Sequence, residues 1–192
     1  MSDSADSSAT SSPSSSPLSQ WIPVVGQGYD VHRFAADRPL ILGGVKISDC
    51  DGLEGHSDAD VLCHALADAL LGAIGERDIG HHFPNTDPQC QGMSSLLIVA
   101  RAVELIEKNH GRLVNVDITI VAEKPKLAPH LAEMKYHLAN TLKISPKRIG
   151  LKATTNEGMG WIGRGEGIAA LAVASVILSE FPGDYSSQVM IA

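Results

Sequence analysis

The stretch SDADVLCHALADALLGAI, residues Ser57–Ile74, constrains the fold more than any other part of this chain. Val61, Leu62, Ala65, Leu66, Ala69 and Leu70 recur at helical spacing and form an apolar stripe. Ser57 or Asp58 can cap the N-terminus of such a helix, and Gly75 can end it. The helix nevertheless carries an imidazole, His64, with Asp60 one turn before it and Asp68 one turn after. Positions four apart share a helix face. Capping accounts for one of the nearby carboxylates and leaves His64 unexplained.

The flanking segments complete an alternating pattern. Val24–Phe34 is rich in strand formers, and its Gly26-Gln27-Gly28 interruption reads as a bulge or a close approach. Leu40–Ile47, broken by Gly43-Gly44, reads as a hairpin or a bent strand. Ser94–His110 predicts a second helix with Gly111 behind it. Leu113–Ala122 alternates as a buried strand, Pro129–Leu142 suits a third helix, and Ile149–Ala153 is a short strand. Gly167–Leu178 fits a buried strand or a buried helix. This order predicts an α/β (α+β) sandwich, a mixed four-stranded sheet with helices packed on one face. Aromatics make up 4% of the chain against 44% hydrophobic residues, so the core must rest on small and aliphatic side chains. No run of about 18 apolar residues suggests a membrane span.

Residues 1–20 are half Ser, with no Lys or Arg. Such a segment cannot bury enough apolar area to offset its ordering entropy, so a disordered head is expected there. One domain is expected over 21–182, with a short tail over 183–192. A transit peptide would be rich in Arg and poor in acids, whereas the head holds Asp3 and Asp6 and the first basic residue is Arg33. The expectation is a cytoplasmic protein of bacterial type, with a plastid destination left open. The net charge of −7 argues against a nucleic-acid partner. Cys50, Cys63 and Cys90 lack CxxC spacing and cannot all pair with one another, which suits a reducing compartment.

Five of the eight histidines lie between His32 and His82. On a strand, Asp30 and His32 point to the same side, so a carboxylate and an imidazole converge. From that tripeptide alone, a core histidine oriented by Asp30 reads equally well. With His64 the pair would complete the three-ligand set of a catalytic zinc site, which keeps a fourth position open. Asp60 and Asp68 suit the position behind His64, where a carboxylate fixes the tautomer of a liganding imidazole. His56 falls at the helix entrance, where backbone N–H groups favour an anion. Thr154-Thr155-Asn156-Glu157 follows a short strand and precedes GMGWIGRGEG. Hydroxyls and amides near glycines suit phosphate oxygens, and Glu157 can hold Mg²⁺; an ordinary polar turn is the plainer reading. The glycines match neither a P-loop nor a dinucleotide-binding fingerprint. Lys124-Pro125-Lys126 is a small basic knot that a solvated turn would also explain.

GQGYDVHRF, LILGGVKI, GLEGHSDADVLCHALADALLG, DIGHHFPNTDP, AEKPKLAPH and KATTNEGMGWIGRGEG follow one another in that order. Together, over about Val24 to Leu178, they resemble the 2-C-methyl-D-erythritol 2,4-cyclodiphosphate synthase family. The resemblance implies a homotrimer with active sites between neighbouring subunits. The implied substrate is a cytidine diphosphate, 4-diphosphocytidyl-2-C-methyl-D-erythritol 2-phosphate. Its 2-phosphate attacks the β-phosphorus and expels CMP, a step in isoprenoid precursor biosynthesis. Family zinc ligands fall on Asp30, His32 and His64. A second ion, Mg²⁺ or Mn²⁺, falls on Glu157 and the substrate diphosphate. His56 and Thr155 match residues that polarise or orient the phosphates. Ser57, Asp78, Gly80 and Phe83 fall in substrate-contacting stretches. Ala122, Pro125, Lys126 and Leu127, with Ala153 and Thr154, match a cytidine pocket supplied by the adjacent subunit. Asn156, Trp161 and Arg164 are further expected contacts, Arg164 near the trimer axis, where family members bind isoprenoid diphosphates. Asn85 stands where many members carry Asp, Trp161 where Phe or Tyr is common, and Leu171 where some members carry Glu. Competing readings are a metal-dependent phosphohydrolase, with water as nucleophile, and a non-catalytic binder of isoprenoid diphosphates. The intact Asp30/His32/His64 set argues against the latter.

Overall fold

The computed structural model describes residues 20–48, 51–84 and 86–180. Residues 1–19 of the head expected over 1–20, the expected tail (183–192), Cys50 and Asn85 lie outside them, while Gln20, the last residue of that head, opens the first strand. The elements in chain order are β1 (Gln20–Ala35), β2 (Leu40–Leu42), β3 (Val45–Ser48) and β4 (Gly52–Leu53), then α1 (Val61–Ala73), α2 (Ile79–His82) and α3 (Ser95–Lys108). They continue with β5 (Gly111–Val121), α4 (Leu131–Leu142), β6 (Ile149–Thr154), α5 (Gly160–Gly163) and β7 (Gly167–Glu180). One sheet runs β4-β1-β7-β5-β6, with β5–β6 parallel and its other neighbours antiparallel. The sheet is therefore mixed, as the sequence predicts, but five-stranded rather than four-stranded. The extra edge strand, Gly52–Leu53, is too short to leave an alternating signal. β2 and β3 form a separate hairpin, turned by Gly43 and Gly44 at φ +56° and +73°.

The Gly26–Gly28 interruption is a close approach and not a bulge. β1 and β7 pair in unbroken register from Gln20↔Glu180 to Arg33↔Gly167. A Cβ at Gly26 would fall 2.0 Å from the Ala69 carbonyl oxygen, and one at Gly28 would fall 1.9 Å from that of Ala65. The glycines thus let α1 lie directly on the strand. β7 helps in the same way: Ala170, Ala172 and Ala174 are buried and small, while Leu171 and Val173 face outward. That alternation, with β1 and β5 paired on its two sides, settles Gly167–Leu178 as strand.

α1 is buried over nearly its whole surface, not along a single stripe. Its cap is Asp60, whose side chain accepts from Cys63 N; Ala59, at φ +56°, keeps Ser57 and Asp58 out of the helix. The third helix starts two residues later than expected, after a 3₁₀ turn over Ala128–His130. α1, α3 and α4 all pack on one side of the sheet. The opposite face carries Trp21, Val25, Tyr29, Val31, Leu171 and Val173, each exposed. Among the described residues no helix is long and apolar enough to cross a membrane.

Candidate metal and phosphate site

Because odd residues of β1 face outward, Asp30 and His32 project toward the helices. The Gly28 contact sets α1 against them at Ala65, and His64 is its neighbour in the helix. Three donor atoms meet there. Asp30 Oδ2 lies 3.0 Å from His32 Nε2 and 3.0 Å from His64 Nδ1, and the two nitrogens lie 3.1 Å apart. Bonds of about 2.0–2.1 Å at a tetrahedral angle would separate ligand atoms by about 3.3 Å, so the triangle fits a zinc-sized ion.

The outer ring nitrogens sharpen this fit. His32 Nδ1 donates to the Glu54 carbonyl at 2.5 Å, and His64 Nε2 lies 2.9 Å from Ser95 Oγ. His32 Nε2 and His64 Nδ1 thus face Asp30 Oδ2, and a carboxylate oxygen and two imidazole nitrogens converge where a cation, or ring protons in its place, can lie among them. Burial works to raise the Asp30 carboxyl, but hydrogen bonds and charge from His32 and His64 outweigh it and hold it at about 2. Burial works to lower the His32 imidazole, and the Asp30 carboxylate outweighs that and raises it.

The residues behind His64 differ from expectation. Asp60 is fully buried and accepts from Cys63 N at 3.1 Å and Gly44 N at 2.8 Å. Burial, with the charge of Asp58 adding, raises its carboxyl. Asp68 accepts from Ile79 N at 2.8 Å, and burial followed by the charges of Asp78 and Asp30 raises it. Neither carboxylate bonds the His64 ring. Ser95 does, with Ser57 Oγ 3.2 Å from the same nitrogen and Asp58 behind Ser95. Asp60 and Asp68 hold the helix and the following turn, roles that helical spacing alone cannot separate from imidazole contacts.

The triad lines a cavity of about 230 Å³ together with His56, Ser57, Gly80 and Phe83. Arg38 fixes the loop that carries His56: its guanidinium donates to Gly55 O at 2.5 Å and Ser57 O at 2.7 Å, on either side of that residue. Asp78 turns away to cap α2, accepting from His81 N at 3.1 Å. A second cavity, of about 250 Å³, gathers Ala122, Pro125, Lys126, Leu127, Ala153, Thr154 and Thr155. Thr155 Oγ1 donates to Glu157 Oε1 at 2.7 Å. Glu123, which no motif marked, accepts from Asn156 N at 3.0 Å and Gly158 N at 3.1 Å and so shapes the loop around Glu157. Trp161 lines a third cavity with His32 and Glu166, and Arg164 Nε donates to Glu166 at 2.6 Å. The first and second cavities share no lining residue.

A model of the YgbB family matches residues 24–177. A 2-C-methyl-D-erythritol 2,4-cyclodiphosphate synthase of Akkermansia muciniphila is 57% identical over 164 residues, covering 85% of this chain and 97% of that protein. The enzyme of the same name from a Synechocystis species is 57% identical over 153 residues, covering 80% and 95%. Among solved structures, the bifunctional IspDF of Campylobacter jejuni superposes with a TM-score of 0.80 at 40% identity, covering 84% of this chain and 44% of that one. IspF of Plasmodium falciparum, in complex with CDP, superposes with a TM-score of 0.71 at 32% identity, covering 82% and 97%. Identity at this level across nearly the whole length of the single-domain relatives means that this chain belongs to the YgbB family, that of the 2-C-methyl-D-erythritol 2,4-cyclodiphosphate synthases.

Proposed function

We propose how this chain divides the work of its family's reaction, the cyclisation of 4-diphosphocytidyl-2-C-methyl-D-erythritol 2-phosphate with release of CMP. A substrate 2-phosphate oxygen bonds to the β-phosphorus, the bond from that phosphorus to the CMP oxygen breaks, and the electron pair leaves on CMP. The nucleophile comes with the substrate, so the protein needs no Ser or Cys nucleophile. Its tasks are to bring two anionic groups together and to hold them in line.

Asp30, His32 and His64 would hold Zn²⁺, and Glu157 would hold Mg²⁺ or Mn²⁺ against the diphosphate. These ions would supply charge neutralisation and polarisation of phosphoryl oxygens. His56 lies in the triad cavity and is positioned to donate to a phosphate oxygen there. Thr155 holds the Glu157 carboxylate and offers its backbone beside the second cavity. The Ala122–Leu127 stretch and Ala153–Thr154 form a small, mostly apolar pocket with Lys126 at its side, suited to cytidine. Ser57, Gly80 and Phe83 would contact the methylerythritol portion, and Asn156 and Trp161 flank the phosphate loop.

The separation of the two cavities supports a homotrimer whose sites form where one subunit's triad meets its neighbour's nucleotide pocket. The exposed apolar face of β1 and β7 is the surface such packing would bury. An isoprenoid diphosphate near the axis would meet Arg164, the cation beside Glu166. The bacterial relatives support a cytoplasmic setting. The triangle of donor atoms carries the reading. Incubating the protein and Mg²⁺ with the diphosphocytidyl substrate should yield CMP and a cyclic diphosphate by phosphorus NMR. Open-chain monophosphates instead would mark a phosphohydrolase.

A further inference from the structure

We infer that Ser95 and Asp58 are positioning residues for His64: the chain Asp58–Ser95–His64 fixes which ring nitrogen faces the ion. This deepens, and rests on, the proposed ion site of Asp30, His32 and His64. Ser95 is fully buried and opens α3. Its N–H donates to Asp58 Oδ2 at 3.0 Å and its hydroxyl donates to Asp58 Oδ1 at 2.5 Å. A carboxylate offers acceptors alone, so the hydroxyl proton is committed to Asp58. The Ser95 oxygen then has lone pairs left to face His64 Nε2, 2.9 Å away, and Nε2 must bring the proton. That leaves Nδ1 as the lone-pair nitrogen beside Asp30 and His32. Ser57 Oγ, 3.2 Å from Nε2, accepts from Ala59 N and lies 3.3 Å from Ser95 Oγ, to which its own proton can turn. The chain joins the loop before α1, α1 itself and the start of α3, so ring orientation is set by packing remote from the cavity.

The test is equilibrium competition of the metal-stripped, full-length protein against a chromophoric zinc chelator. Ser95→Ala should weaken zinc binding by about tenfold to a hundredfold, and Ser95→Thr should restore most of that loss. Ser94→Ala should bind like the parent, since Ser94 caps α3 without a side-chain hydrogen bond. In the zinc-loaded protein, imidazole ¹⁵N spectra should show His64 bound through Nδ1, with an Nε2–H proton protected from exchange. Ser95→Ala should lose that protection. Should Ser95→Ala fail to fold, Asp58→Asn decides, and it should loosen zinc in the same direction. Unchanged zinc affinity in the folded variant, or His64 bound through Nε2, overturns the inference. If His64→Ala binds zinc as the parent does, the underlying ion site is wrong; if it does not, a null result at Ser95 condemns the positioning role alone.

Discussion

Replacing Gly28 by Ala should unseat His64 from outside the site. The new Cβ would stand 1.9 Å from the Ala65 carbonyl oxygen and 2.8 Å from Ala69 N. Both are backbone atoms of α1, so no side chain can swing aside, and strand and helix must part as bodies. Ordinary contact is regained only after a displacement of more than about 1 Å, which a close-packed core resists. Overpacking of this kind costs about 1–3 kcal/mol. The parting falls directly on the site, because His64 precedes Ala65 and Asp30 lies two residues beyond Gly28 on the same face. The 3.0 Å separation of His64 Nδ1 and Asp30 Oδ2 should widen beyond what one ion spans with bonds of about 2.0–2.1 Å. Gly72→Ala is the matched control in the same helix. Its Cβ would meet nothing closer than 4.0 Å, and it should stabilise by about 0.5–1 kcal/mol. Urea unfolding of the metal-free proteins and zinc titration of each variant read the two effects separately. A Gly28→Ala protein as stable as the parent would refute the contact. One that is destabilised yet binds zinc normally would refute its transmission to the triad.

Three further outcomes are expected. His64→Ala and Glu157→Ala should each abolish CMP release in metal-replete assays while leaving far-UV circular dichroism intact; turnover in either removes the proposed ion role. Asp68→Asn should raise stability at neutral pH, because burial holds the Asp68 carboxyl above its usual range and the charged form is the disfavoured one in the fold. Wild-type stability is then fullest below about pH 4 and falls as pH rises through the elevated folded value, so the gain in Asn should vanish in acid. A gain that is flat with pH in urea titrations contradicts this. Val25→Asp, on the open face at 65% exposure, should leave monomer stability within about 0.5 kcal/mol while shifting light-scattering mass from trimer toward monomer. An unchanged mass places the interface elsewhere.

The triad was legible because two local rules supply it: alternation places Asp30 with His32, and helical periodicity gives His64 an inward face. What the sequence could not show is that these two faces meet, which depends on the Gly26–Gly28 seam. The same pair of glycines fits a bulge or a close approach until the register with β7 is known. The residues behind His64 were misread for a related reason. Asp60 and Asp68 are neighbours in sequence, whereas Ser95 lies 31 residues away and reaches the ring only through the packing of α3. A fully buried serine at a helix start, followed by an apolar run, resembles an ordinary cap. Glu123 likewise acts on main-chain N–H groups more than thirty residues on, a type of contact that leaves no pattern. The two-residue strand Gly52–Leu53 is defined by its partner and not by its own side chains.

The ligand atoms come from two elements that the chain could otherwise separate, a strand and a helix whose donors lie 34 residues apart between Asp30 and His64. Any ion they share is thermodynamically linked to folding, because the unfolded chain scatters its ligands. By mass action, an ion held at a hundred times its dissociation constant adds about 2.7 kcal/mol to stability. The melting temperature of this protein is then a function of free metal, and a chelator becomes a mild denaturant. Metal scarcity would reach the enzyme as instability of the strand–helix seam, before substrate is ever encountered.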